Sequence, residues 1–267
     1  MRSEIYLGLS FFSYLLATLF YVGLQLFKHN LIGIFATSIT TLGFLSHTIG
    51  LILRTKEASH PPFTNMYESV VFFSWAIILI YLFIEHRFKS KIIGIFVLPI
   101  VLLAIGYASV LPGEYKEVRP IVPALQSFWL PIHVSTCFLS YACFAIAFCT
   151  SLIYLLKERF GFKRIPDTEF LDQITYRVVS FGFLLLTFGI ITGAIWANYA
   201  WGRYWGWDPK ETWSLVTWLI YVGYLHARFI SGWRGKKTAW IAIIGFLISM
   251  FTFVGVNFLL SGLHSYV

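Results

Sequence analysis

Seven histidines could bind a metal ion in this chain, because a neutral imidazole is the commonest protein ligand for transition metals. His133 opens a long apolar run just after Pro131, and His264 follows the last apolar run of the chain. Taken singly, each is typical of a histidine at a membrane interface. Taken together, two imidazoles from opposite sides form a standard axial pair for heme iron. The pair is therefore a candidate set of heme ligands.

A tryptophan-rich segment at residues 196–213 is the most unusual stretch of the chain. Aromatic belts at membrane interfaces explain one or two tryptophans per helix end, but not a higher density. Here five of the ten tryptophans lie within eighteen residues, namely Trp196, Trp201, Trp205, Trp207 and Trp213.

The same segment contains residues typical of an ordered turn and basic residues that could contact a ligand. Asp208-Pro209 followed by Glu211 indicates a helix start. Tryptophan faces could pack on a flat apolar ligand, and Arg203 or Lys210 could meet carboxylates at its edge. We expect a platform for a planar ligand with anionic edges, and an ordinary interfacial belt is the alternative.

His226 lies inside the seventh apolar run, where an ionisable group is a candidate for function. It follows Glu211 by fifteen residues, which is ~22 Å along a helix. Because the hydrocarbon core is ~30 Å thick, His226 is predicted to lie in the inner half of the membrane, far from His133 and His264. One heme cannot touch both levels, so two heme stations are expected. A core histidine bonded to a neighbouring helix is the alternative.

The remaining histidines and the cysteines are expected to be structural or solvated. His47 precedes Arg54 by seven residues, which places it ~10 Å below the outer membrane surface. That depth does not match the predicted depth of His226. The three cysteines are spaced by six residues, so they share no helix face. No C-x-x-C-H occurs, so the chain is not itself a c-type cytochrome. The other residues in this group are His29, His60, His86, Cys137, Cys143 and Cys149.

Composition places these residues in a membrane protein. Apolar residues make up 58% of the 267 positions, charged residues only 12%, and mean hydropathy is +0.75. Soluble domains have about a quarter of their residues charged. The net charge of +8 is explained by Lys and Arg that anchor spans at the cytoplasmic side. No loop combines a basic patch with interleaved aromatics, so nucleic acid is not an expected partner.

Eight apolar runs are long enough to cross a bilayer, which needs about 20 residues per helix. The sequence therefore predicts an all-α polytopic membrane protein, a bundle of about eight transmembrane helices. No loop is long enough to form a domain, so residues 1–267 are expected to be a single transmembrane heme-handling domain. The predicted spans are 5–27, 32–53, 69–85, 92–110, 128–156, 177–197, 212–230 and 239–261.

The charges in the loops predict the direction of the spans. With eight spans, the loops and termini on one side of the membrane hold thirteen Lys and Arg, and those on the other side hold seven. The positive-inside rule assigns the thirteen to the cytoplasm. The tryptophan-rich segment and both termini then face outward. The bacterial cytoplasmic membrane is the expected location, and the thylakoid membrane is the alternative.

The stretch W-G-R-Y-W-G-W-D-P-K-E-T-W-S-L-V-T-W at residues 201–218 resembles the WWD signature of heme-handling proteins. Its extended form is similar to the CcsA (ResC) family of system II cytochrome c biogenesis. The segment His60–Ser69 resembles the outer loop of that family that precedes a helix. Members of the CcmC family of heme chaperones share a shorter version of the motif on fewer spans, so they match less well.

The resemblance implies that heme b is the ligand, as a substrate rather than a resident cofactor. It implies axial ligation by His133 and His264 outside and a transmembrane ligand at His226. In fused relatives a CcsB part supplies the second deep ligand, so a CcsB-like membrane partner is expected. An apocytochrome c with C-x-x-C-H and a thiol-reducing pathway are the other implied partners, besides the lipid bilayer. The remaining candidate contacts are Trp201, Arg203, Trp205, Trp207, Asp208 and Trp213.

The expected function is to bind heme, present it at the outer face and, with the partner, support its covalent attachment. A heme exporter or chaperone without synthetase activity is one alternative, and pure transport would leave outer ligands dispensable. A b-type electron-transfer cytochrome is another, and it favours histidine pairs at matched depths within helices. No inverted repeat of the transporter kind is visible. Whether the chain is the heme-presenting subunit of a holocytochrome c synthetase stays open.

Overall fold

The structure, a computed structural model, describes residues 2–27, 29–118, 120–260 and 262. Helices and short turns account for the regular structure of these residues, with no β-strand among them. A π-helical turn at Phe251–Gly255 separates the last two helices. In chain order the helices are α1 (Arg2–Phe27), α2 (Asn30–Ala58), α3 (Met66–Phe88), α4 (Gly94–Val110), α5 (Trp129–Phe160), α6 (Thr168–Trp201), α7 (Pro209–Phe229), α8 (Lys236–Met250) and α9 (Val256–Leu259).

The predicted all-α membrane bundle is confirmed. Each predicted span coincides with one helix, and the eighth coincides with α8, the π-helical turn and α9 together. Among the described residues, six helical segments are long and apolar enough to cross a membrane by length and composition. The apolar helix α4 has only 17 residues, and the more polar α7 is not one of the six.

Several helices extend beyond the predicted spans. α6 begins at Thr168 instead of about residue 177, because apolar runs mark only the part in hydrocarbon. It continues to Trp201 and ends where Gly202 adopts a left-handed φ of 73°. Since α7 starts at Pro209, the non-helical part of the tryptophan-rich segment is only residues 202–208.

The chain packs as two compact units, and the N-terminal unit, Met1–Ile121, contains α1–α4. α1 packs along α2, and α3 and α4 complete the unit. Its interior holds the carboxylate of Glu85, which accepts hydrogen bonds from Tyr21 and Thr37 at 2.5 Å and from Tyr81. Burying a charge is costly unless it is hydrogen-bonded, so these hydroxyls stabilise the carboxylate.

A second buried charge ties the segment His60–Ser69 to α2. Arg54 is 1% exposed, and its Nε donates to Glu68 Oε1 at 2.9 Å. The other carboxylate oxygen of Glu68 accepts from the backbone and the hydroxyl of Thr64. Arg54 also donates to the carbonyl of Lys116 at 2.7 Å. This segment is therefore held by a satisfied ion pair.

The C-terminal unit, Val122–Val267, contains α5–α9. α5 and α6 pack closely along their length. A Cβ atom at Gly182 would lie 2.8 Å from the Cβ of Cys143, and one at Gly189 would lie 2.7 Å from Sγ of Cys137. Small residues allow helix backbones this close approach. α8 packs on α5, and α7 packs on α6 and α8.

Candidate functional site

His133 lies in the second turn of α5 and is held by α6. Its Nδ1 donates to the carbonyl of Gly189 at 2.8 Å. A carbonyl can only accept, so Nδ1 carries the proton and the lone pair of the neutral ring is on Nε2. Histidines that bind metals usually donate their other N–H to a carbonyl or carboxylate in this way. The ring is therefore in the tautomer that a metal at Nε2 requires.

The backbone of α6 also leaves room for the His133 ring. A Cβ atom at Gly193 would lie 2.6 Å from both Cε1 and Nδ1 of the ring. One turn further along α6, the Trp196 ring lies nearly parallel to the imidazole, with centroids 6.0 Å apart and 14° between planes. Gly193 thus provides the space and Trp196 provides a wall of the imidazole site.

The tryptophan-rich segment begins on the same helix. Trp196 contacts Trp201 edge to face, with ring centroids 4.8 Å apart. Its Nε1 donates to the carbonyl of Ala124 at 3.0 Å, so this hydrogen bond and the contact with Trp201 together hold the buried ring. Contacts between rings therefore run from His133 through Trp196 to Trp201, at the end of the unit where α6 stops.

The connection between α6 and α7 is an ordered turn. Asp208 is the N-cap of α7, and it forms a capping box with Glu211. Glu211 Oε2 accepts from the backbone N–H groups of Gly206 and Asp208 at 2.7 and 3.1 Å. Trp207, between them, has a φ of 56°, a left-handed value that is uncommon for residues other than glycine. The predicted helix start is confirmed, and Asp208 orders the turn.

Trp205 and Trp207 form the more open part of the turn. Their rings meet at 88° with centroids 5.8 Å apart. Trp207 is 69% exposed. Arg203 is also exposed, and its Nε lies 2.7 Å from where a Cβ of Gly206 would be. The exposed indole of Trp207 and the exposed guanidinium against the neighbouring Gly206 suit a flat ligand with an anionic edge.

Trp213 lies in a different environment from the other candidate tryptophans. Its ring contacts Phe251 of the π-helical turn, with centroids 4.5 Å apart. Its carbonyl accepts from Thr252 at 3.2 Å. The structure therefore places this tryptophan in the packing between α7 and the end of α8, rather than in the exposed turn.

His226 lies in the last turn of α7 and is exposed. One unbroken helix joins it to Glu211, so the separation of ~22 Å along the axis holds. Beside it, Arg228 is bonded to both carboxylate oxygens of Asp172 at 2.9 and 2.7 Å. His226 and His133 are therefore at opposite ends of the C-terminal unit.

The other predicted site residue, His264, lies outside the described residues. The nearest described position is Gly262, where a Cβ would lie 2.5 Å from Oδ2 of Asp208. Cys143 and Cys149 are buried free thiols as expected, and Cys137 Sγ lies 3.7 Å from Nδ1 of His133. Within the described part of the chain, no group of three or more His, Cys, Asp or Glu could hold a metal ion.

Sequence reasoning used Glu211 only as a sign of a helix start, and it did not single out Gly189 or Gly193. The signal for Glu211 was present, because an Asp followed three residues later by Glu is a capping-box pattern. The two glycines follow the G-x-x-x-G spacing of closely packed membrane helices, which also was visible in the sequence. The contact of these glycines with His133 was not visible in the sequence, since it depends on how α6 is rotated against α5.

Apolar helices of spanning length and an ordered tryptophan-rich turn beside an oriented histidine define a polytopic membrane protein with a site at one end of its C-terminal unit. Residues 63–264 match the family model described as cytochrome c assembly protein. The chain therefore belongs to the cytochrome c assembly family, which places it in cytochrome c biogenesis.

Individual relatives agree with the family assignment and confirm the resemblance to CcsA. The cytochrome c biogenesis protein CcsA of a strain of Prochlorococcus marinus is 45% identical over 250 residues, covering 82% of this chain and 79% of the relative. CcsA of Guillardia theta is 40% identical over 252 residues, covering 85% and 83%. CcsA of Pyropia yezoensis is 38% identical over 275 residues, covering 86% of both.

A solved structure shares the fold. The cytochrome c heme lyase CcmF superimposes with a TM-score of 0.70 at 15% sequence identity. The match covers 94% of this chain and 46% of CcmF, so the chain spans about half of that protein. At this identity the likeness extends to the helical architecture alone.

Proposed function

We propose that this chain binds heme b as a substrate and presents it, beside the tryptophan-rich segment, to an apocytochrome c. The observation that carries the proposal is the hydrogen bond from Nδ1 of His133 to the carbonyl of Gly189. It orients the ring and leaves the lone pair on Nε2, which is what an axial ligand to iron needs. His264 is proposed as the ligand on the opposite face of the heme.

The chemistry at this site is mainly positioning. Each thiol of the C-x-x-C-H motif adds across one vinyl group of heme, with sulfur bonding to one vinyl carbon and hydrogen to the other. A thiol-reducing pathway keeps these thiols available. Trp201, Trp205 and Trp207 would pack on the macrocycle, and Arg203 would meet its carboxylates. Holding both reactants in register is how such a site accelerates bond formation.

The deeper station is proposed at His226, which heme reaches before the outer site. Its ring lies on an exposed face of α7, together with Leu219, which is 54% exposed, and Gly223, which has open space beside it. A CcsB-like membrane partner packed on this face would supply the second ligand of a deep heme. On this proposal residues 1–267 act as a single heme-handling domain and form the heme-presenting subunit of a synthetase complex.

Purification with a co-expressed CcsB-like partner tests this function. Heme per protein and covalent heme on a co-expressed apocytochrome c should both be high with the partner and low without it. His86→Ala changes an exposed histidine outside the proposed stations and should behave as the wild-type chain. A heme-loaded complex that forms no holocytochrome c, with reduced apocytochrome present, would contradict attachment and support export alone.

We also propose that the tryptophan-rich segment and both termini face outward from the bacterial cytoplasmic membrane. The support is the distribution of Lys and Arg, with thirteen in the loops assigned to the cytoplasm and seven in the others. Covalent heme attachment would then take place outside the cytoplasm, where the apocytochrome c is delivered.

Cysteine labelling in intact cells checks this direction. Tyr204 is 61% exposed in the tryptophan-rich segment, and Arg234 is exposed between α7 and α8. Tyr204→Cys should react with an impermeant maleimide added from outside, and Arg234→Cys should react only after lysis. The wild-type chain is the control and sets the background, because Cys137 is half-buried whereas Cys143 and Cys149 are buried. The reverse labelling pattern would overturn the orientation.

A further inference from the structure

A buried carboxylate joins three helices at the end of the C-terminal unit that carries His226. Asp172 of α6 is 8% exposed. Arg228 of α7 donates to both of its oxygens, from Nη1 at 2.9 Å and from Nη2 at 2.7 Å. The backbone N–H of Gly235 and the hydroxyl of Thr238 in α8 also donate to it, at 3.0 and 3.3 Å. Asp172 therefore fixes the end of α7 and the start of α8 against α6.

The side chain of Arg228 is held in direction as well as in charge. Two parallel N–H···O bonds to one carboxylate define the plane of the guanidinium. Its central carbon lies 4.6 Å from the centroid of the Tyr176 ring, which also belongs to α6. The next residue of α7, Phe229, meets the same ring edge to face, with centroids 5.8 Å apart. Two consecutive residues at the end of α7 are thus held by α6.

His226 lies in the same last turn of α7, where a helix is least stable by itself. The final carbonyls of a helix lack partners within it, and helix ends fray. Here the carbonyls of His226 and Ala227 accept from the N–H groups of Ile230 and Trp233 at 2.9 and 3.0 Å. Residues two apart on a helix point about 200° away from each other. Holding Arg228 on the packed side therefore sets the direction of His226 on the exposed side.

We propose that the Asp172–Arg228 ion pair is a positioning device for His226, the ligand of the deep heme. The inference rests on the proposed function and deepens it, because it names the residues that orient this ligand. Asp172 and Arg228 are on this account positioning residues, which act through His226 rather than by contact with the heme.

Two substitutions weaken the device to different extents. Asp172→Asn removes the charge that pairs with Arg228, whereas Arg228→Lys keeps a cation and loses the planar fork. Heme affinity should fall about 10–100-fold in Asp172→Asn, as it does when a contact that orients a metal ligand is lost, and by less in Arg228→Lys. The measurement is heme per protein of the partner complex over a series of added heme concentrations. Wild-type affinity in both variants would refute the device.

The N-terminal unit offers a matched control for stability. Arg54 and Glu68 form another buried ion pair, with Nε and Oε1 2.9 Å apart. Glu68→Gln should lower the denaturation midpoint as Asp172→Asn does, because each leaves a buried arginine without its counter-ion. Its heme affinity should nevertheless equal that of the wild type. An equal loss of heme affinity in Glu68→Gln and Asp172→Asn would show a general effect of stability and overturn the proposal.

Rescue by imidazole separates positioning from a direct contact of Arg228 with heme. In His226→Gly the soaked imidazole replaces the side chain and does not depend on the direction of the helix end. His226→Gly with imidazole should therefore bind heme equally well with and without Arg228→Lys, since the device acts only through His226. A further loss in the double variant would contradict this. Direct contact also predicts that Asp172→Asn, which frees the guanidinium, binds heme at least as tightly as the wild type.

The same variants distinguish failure of this inference from failure of the proposed function. If His226→Ala keeps the heme affinity of the wild type, the deep station is wrong and the device with it. If His226→Ala loses heme while Asp172→Asn and Arg228→Lys keep it, the station stands and only the positioning device is refuted.

Discussion

Replacing His133 with alanine should abolish covalent heme attachment to a co-expressed apocytochrome c. The physical reason is that the Nε2 lone pair, oriented by the bond to Gly189, is lost, and one axial position of the outer heme becomes empty. His264→Ala should have the same effect. Added imidazole should restore part of the activity in either variant. The measurement is heme staining of the cytochrome after denaturing electrophoresis, and normal staining in either alanine variant would refute the ligand assignment.

Gly193→Ala offers a test in which the imidazole remains present. The new methyl group would lie 2.6 Å from the His133 ring, so the ring must move and its bond to Gly189 is disturbed. Holocytochrome c formation should fall about 10–100-fold, the usual effect of losing an orienting contact. Gly106→Ala is a matched control, since it is a helical glycine with nothing within 4 Å. Equal activity of the two variants would argue that orientation of His133 does not matter.

Replacing His226 with alanine should remove most of the heme that co-purifies with the partner complex. His226 lies ~22 Å from the tryptophan-rich turn along one continuous helix, so it acts at a separate station that heme occupies first. His226→Gly leaves a cavity, and imidazole soaking should restore heme loading. The measurement is heme per protein, determined with the partner present.

His47 provides the comparison for His226. Its side chain is enclosed in the N-terminal unit with 0% exposure, and its Nδ1 lies 3.3 Å from the Tyr14 hydroxyl. A ring that is enclosed on all sides leaves no face for a porphyrin, so His47→Ala should keep near-normal heme per protein. Equal heme loss in His47→Ala and His226→Ala would contradict the assignment of the deep station to His226 and a partner ligand.

Much of the architecture follows from the sequence because membrane helices are specified by hydropathy. Each of the eight apolar runs coincides with a helical segment of the described residues, and the Asp208–Glu211 pattern correctly places the start of α7. Helix ends were less predictable, since hydrogen bonding continues α6 through Trp201 until Gly202 ends it. The non-helical part of the tryptophan-rich segment is consequently shorter than the whole of residues 196–213.

The parts of the site that the sequence could not predict are contacts between distant residues. The carbonyl of Gly189 lies 56 positions from His133 in the chain, and Asp172 likewise lies 56 positions from Arg228. Such contacts depend on how each helix is rotated about its axis. A helix that is apolar on all sides has no polar face that would reveal this rotation. The π-helical turn changes the rotation again between α8 and α9, without a signal in the pattern of apolar residues.

The most direct test of the central claim, that His133 binds the iron of the presented heme, is a redox titration of the purified partner complex carrying His133→Met. Methionine in place of one histidine keeps the iron coordinated and raises its reduction potential. We predict that one heme component shifts to a higher midpoint potential, while His86→Met, at an exposed histidine, leaves the titration unchanged. A titration curve of His133→Met that superimposes on the wild type, at equal heme content, would contradict the account.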